Sequence, residues 1–95
     1  MRRSTVERRL RSNAQRLQSL REELGITDEQ MVQLGEEAED ARIRAMVSET
    51  SLSQRDAHEA ERHASVLSRR RAEVQAEIER LEQDQDALLD ELSAS

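Results

Sequence analysis

An all-α fold, an antiparallel coiled-coil helical hairpin whose first arm is kinked near Gly25, follows from three features of this chain. Its 95 residues include no proline, no aromatic residue and no cysteine, and more than half of them are Ala, Glu, Leu or Arg, the make-up of long helices. Two stretches, Val6 to Ser48 and Ser53 to Leu92, each follow a heptad repeat. Folding the second stretch back on the first brings small residues against small and large against large, with opposite charges beside the seam.

In the first arm, one heptad position carries Leu10, Leu17, Leu24, Met31, Ala38 and Ala45. The other carries Val6, Asn13, Leu20, Thr27, Leu34, Ala41 and Ser48. Gly25 reads as a helix stop. Thr27 with Gln30 reads as a capping box, and Ile26 with Met31 as a hydrophobic staple. The heptad phase nevertheless carries straight through. The first arm, about 4–48, is therefore expected as two helices, about 4–24 and 28–48, joined nearly in line by a kink. A turn is expected at about 49–52, where Thr50 and Ser51 are both good N-cap residues.

The second arm, about 53–92, holds no Gly and no Pro. Its seam positions are Ala57, Ala64, Arg71, Ile78, Gln85 and Leu92, and then Ser53, Ala60, Leu67, Val74, Leu81 and Leu88. Antiparallel pairing requires facing residues to have a constant index sum. At a sum of 101 or 102, Ala41 meets Ala60, Leu20 meets Leu81, Asn13 meets Leu88 and Leu24 meets Ile78. The polar seam residues Asn13, Arg71 and Gln85 weaken this seam, and Arg71 is expected to snorkel out of it. Flanking pairs expected from the same register include Arg21–Glu82, Arg16–Asp84 and Arg42–Glu61, with Glu23–Glu77 repulsive. The whole of 1–95 reads as one helical-hairpin domain. The alternative is a three-helix bundle with a sharp reversal at Gly25, which strands Leu81, Leu88 and Leu92 without partners.

The net charge of −6 is spread in blocks. Residues 1–21 carry +6, 22–52 carry −7, 53–71 carry +2 and 72–95 carry −7. The basic start and acidic end thus match as neighbours. The Arg-rich opening MRRSTVERRLR has the look of an organellar transit peptide, but its amphipathic pattern runs on into the arm, so we read it as helix. No run of eight apolar residues exists, so no membrane span is expected. The basic residues are all Arg, which points to a GC-rich bacterial genome and, by default, a cytoplasmic protein.

Chemistry is hard to place on these residues. His58-Glu59-Ala60-Glu61-Arg62-His63 has its histidines five apart, whereas the zinc motif needs them four apart on one helix face. Asp84, Asp86 and Asp90 lack the glycine turn and ligand order of a calcium loop. No nucleophile–base–acid set and no phosphate loop can be assigned. No catalytic, metal or cofactor-binding residue is expected, and no cofactor. The Arg-rich segments face acids in the expected fold and have no aromatic residue for base stacking, so nucleic acid is not the expected partner.

The informative surplus is apolar residues off the seam. Val32, Ile43, Met46 and Val47 fall on the outer side of the first arm, Leu52 at the turn and Val66 on the outer side of the second. Ile43, Met46, Val47 and Leu52 cluster near the turn and form the candidate interface. The expectation is a non-catalytic module for protein–protein interaction or self-association, with a homo-oligomer or a protein partner. The alternative is a transcription- or nucleic-acid-associated coiled-coil factor. From Thr27 through Leu92, and most clearly over EAEDARIRAMVSET, the chain resembles small helical coiled-coil proteins of high-GC Gram-positive bacteria. This resemblance covers about two-thirds of the chain and implies a bacterial source but no activity, ligand or site.

Overall fold

The computed structural model describes residues 2–94, and they form two helices, α1 (Arg3–Ser48) and α2 (Ser51–Ala94). Among the described residues there is no strand. Two long helices joined by a short turn make a helical hairpin, and the described residues form no third helix. The reversal at Gly25 that a three-helix bundle requires is absent.

The helix end expected at Gly25 is absent too. α1 runs unbroken through Gly25-Ile26-Thr27, and Gly25 does not take the positive φ of a helix C-terminal cap. A mid-helix glycine costs about 1 kcal/mol relative to alanine. The seam on either side outweighs that cost. Every described seam residue assigned from the heptad is buried or half-buried except Ser48. Thr27, read from the sequence as both a seam residue and a helix start, is buried as a seam residue within the helix. Among the described residues no buried side-chain nitrogen or oxygen lacks a hydrogen-bond partner.

The helices change over at Glu49 and Thr50, two residues fewer than the turn expected at 49–52. Glu49 takes a left-handed conformation, φ 50°, and its N–H donates to the Ala45 carbonyl at 3.0 Å. That single bond from the first residue past the helix is the αL way of ending α1. Thr50 then caps α2. The Ser53 N–H donates to Thr50 Oγ1 at 3.1 Å, and the Thr50 N–H donates back to Ser53 Oγ at 3.2 Å. This is a capping box with serine in the place usually held by Glu or Gln.

The chain divides into two compact units. The terminal unit pairs residues 2–24 with 73–94, and its core is aliphatic. Leu17, Leu20, Val74 and Ile78 form one buried cluster, with Leu24 and Leu81 packed against it. Val6 and Leu88 are also buried there. Each such side chain contributes about 1.5–3 kcal/mol on burial. At the edge of this seam Arg16 reaches Glu77, its Nη2 donating at 3.0 and 3.3 Å and its Nε at 3.1 Å. Arg21 pairs with Glu82 at 3.6 Å, as expected. Arg16 was expected at Asp84. Its choice of Glu77 sets a cation beside the glutamate expected to repel Glu23.

The turn unit, residues 25–72, is packed differently. Only Ala41 and Thr27 are buried, while Met31, Leu34 and Leu67 are half-buried along with alanines of the seam. Arg71, assigned to the seam, is half-buried and turns its guanidinium out to Asp28, to which its Nε donates. This is the snorkelling expected of it, with a partner on the facing helix.

Candidate functional site

Heptad phase decides what is left outside. In the turn unit nearly half of the seam positions are alanine, and larger aliphatics lie on the outward side of each helix. Ile43, Met46 and Val47 stand in the last turns of α1, at spacings of three and four that make them neighbours on one face. Leu52 is the second residue of α2, across the turn. All four are exposed, from 47% at Ile43 to 81% at Val47. Helix geometry thus brings the three α1 residues together, with Leu52 close beyond them in sequence.

The wider distribution is uneven. Seven of the eight large exposed hydrophobic residues among those described lie in the turn unit: these four with Ile26, Val32 and Val66. The exception is Leu89 in the terminal unit, 47% exposed. Conversely, no Leu, Ile, Val or Met of the turn unit is buried. The terminal unit thus covers all but one of its described large aliphatic residues at least in part, and the turn unit exposes most of its own.

Neither Ile26 nor Leu89 is among the outward residues read from the sequence. Ile26 was assigned to a hydrophobic staple at a helix start that the unbroken α1 does not have. Leu89 follows Leu88, and of two adjacent leucines on one helix only one can face the seam, which was the available signal.

Polar groups frame the patch. Arg42 donates through Nε to Glu39 Oε2 at 3.1 Å and through Nη1 to Met46 Sδ at 3.3 Å. Its expected partner was Glu61 on the facing helix. The i, i+3 pair on its own helix forms instead. The Arg42 hydrogen bond, and then its charge, hold the Glu39 carboxyl below the ordinary carboxylate range. Glu39 raises Arg42 in the same way. A shallow depression runs between Ala45 and Met46 on α1 and Gln54, Ala57 and His58 on α2. A second, almost wholly apolar, is floored by Leu34, Val66 and Leu67 between His63 and Arg70. Both are open, unlike the enclosed clefts that bury small ligands.

Among the described residues no group of three or more His, Asp or Glu is placed to hold a metal ion. No helix among them is long and apolar enough to cross a membrane. Compared with protein-family models, with curated proteins and with solved structures, the chain matches none.

Proposed function

We propose that this chain is a non-catalytic helical-hairpin module that binds a second protein chain, a copy of itself or another protein, through the outward aliphatic residues of its turn unit. Ile43, Met46, Val47 and Leu52 are its anchors. One observation carries this reading: the turn unit exposes seven large hydrophobic residues and buries none. A pair of helices can cover only one face of each, and small folds of this kind need additional burial to be secure. A partner that covers these residues supplies it.

The frame for this surface is an antiparallel coiled coil. Leu20 and Leu81 meet in one cluster, Arg21 pairs with Glu82, and Asn13 and Leu88 border one depression. All three support the register read from the heptads. The kink read near Gly25 enters this reading as a proposed bend of a continuous helix at a glycine. An Arg-only, cysteine-free chain fits a bacterial cytoplasm.

The test is the double variant Ile43→Arg/Met46→Arg. Neither residue lies in the seam, so helix content by circular dichroism stays at the wild-type level. Sedimentation and pull-down should show self-association or partner capture weakened by a few kcal/mol, as expected for interface anchors. Unchanged mass together with unchanged partner recovery would reduce the patch to ordinary surface.

A further inference from the structure

The outward faces of the turn unit carry opposite charges. On α1 the outermost line is Glu29, Glu36 and Ile43, at seven-residue intervals. On α2 it is Arg55, Arg62 and Arg69, at the same intervals. All six are exposed. Each line has the same axial period, about 10.5 Å per step. Apolar residues flank both lines, so each face offers aliphatic contacts between charges of a single dominant sign.

We infer that the second chain is another copy of this protein, and that the α1 outer face of one copy docks antiparallel on the α2 outer face of the next. This rests on the reading of the turn unit as an interaction surface and names its occupant. The register follows from the same constant-sum rule that aligns the seam. At an index sum of 98, Arg62 meets Glu36 and Arg69 meets Glu29. Val66 then falls level with Val32, and Leu52 with Met46. His58 comes level with Asp40, and Ala72 with Ile26. Positions three residues to either side of the central line form mixed layers, as in any antiparallel coiled coil.

Neighbouring registers do worse. One heptad lower, the Arg–Glu pairs survive, but Leu52 faces Glu39 and Val66 faces Gly25. One heptad higher, Arg62 faces Ile43. At the sum of 98 the like-charged layer is Glu39 with Glu59, and Glu39 is already neutralised by Arg42. Arg55 lies over Ile43, where its aliphatic stem can cover the isoleucine.

The contact joins two different surfaces, so it is heterologous. A docked pair keeps one free basic face, on the copy whose α1 is covered, and one free acidic face, on the copy whose α2 is covered. Association therefore continues head to tail with rising concentration and does not stop at a closed dimer. It also weakens with salt, because the charges that draw the two faces together are solvent-exposed in the separate copies.

Two experiments on the full-length chain test this. Sedimentation at rising concentration and low salt should show continuous growth in mass. Glu29→Arg/Glu36→Arg should weaken it at least tenfold, as should Arg62→Glu/Arg69→Glu. Combining all four substitutions should restore it, since the charges are merely exchanged. Circular dichroism controls for folding, and the four residues lie outside the seam. In the second experiment the chain carries Val32→Cys/Val66→Cys, and oxidation should give a ladder of covalent multimers. Either cysteine alone should give none. A wild-type chain that stays monomeric overturns the proposal while leaving the broader reading to the Ile43→Arg/Met46→Arg pull-down. A closed dimer overturns it as well, as do a crosslink from Val32→Cys alone and self-association indifferent to the charge exchange.

Discussion

Leu20 is wholly buried, at 0% exposure, inside the cluster of Leu17, Val74 and Ile78 with Leu24 and Leu81 against it. Replacing it by alanine removes three carbons from the thickest part of the seam. At about 0.8 kcal/mol per carbon the lost transfer energy is about 2.4 kcal/mol. A residual cavity of about 40 Å³ adds about 1 kcal/mol. A two-helix seam can partly close over the gap, so the expected loss is about 2.5–3.5 kcal/mol. For a domain of this size that corresponds to a fall in Tm of about 10–25 °C. The assay is urea and thermal unfolding followed by circular dichroism, with Ile43→Ala as the exposed comparison at one fixed protein concentration. Fixing the concentration matters because self-association adds stability by mass action. Ile43→Ala should change the stability of the monomer by no more than about 0.5 kcal/mol. A loss below about 1 kcal/mol for Leu20→Ala, or one equal to that of Ile43→Ala, would refute the packing argument.

Other substitutions probe the remaining links. Gly25→Ala should stabilise the chain by about 1 kcal/mol in the same melts, because α1 is helical there and a Cβ meets no atom within 4 Å. Thr50→Ala removes the cap of α2 and should cost about 1 kcal/mol, whereas Glu49→Gly should relieve a left-handed conformation and gain up to about 1 kcal/mol. Titration of the glutamate carboxyls by NMR should find Glu39 below the ordinary range, and Arg42→Ala should move it back up. The sign follows from the lowered folded-state pKa: the pair favours the folded chain above the ordinary carboxylate pKa and stops doing so as pH falls through the lowered value.

The seam was legible because heptad phase sums over many residues. Leu17, Leu20, Val74 and Ile78 were all assigned to it, and all are buried. The helix end at Gly25 was misread because its signals are local. A glycine and a Thr27–Gln30 box are each worth about 1 kcal/mol, less than the burial that an uninterrupted seam secures on both sides. Long side chains set the limit on charge pairs. Arg71 pairs about one turn, and Arg16 about two turns, from the expected place on the facing helix, so Arg16 finds Glu77 and Arg71 finds Asp28, where opposing positions alone gave Asp84 and Met31. The exposure of Ile43, Met46, Val47 and Leu52 was legible from phase, since none of them falls on a seam position. The contrast between an aliphatic terminal unit and an alanine-rich turn unit was visible only as small residues facing small near the turn. Which residues are actually buried depends on how deeply each seam position is covered, and that is a property of the packed helices.

Site-specific photo-crosslinking in the native cell tests the central claim most directly. Ile43 and Leu89 are equally exposed, at 47% each, one in the turn unit and one in the terminal unit. A photo-reactive residue at position 43 should capture a second chain, of this protein or of another, while the same group at position 89 should capture little. Equal capture at both positions, or capture at 89 alone, would contradict the assignment of the interaction surface to the turn unit.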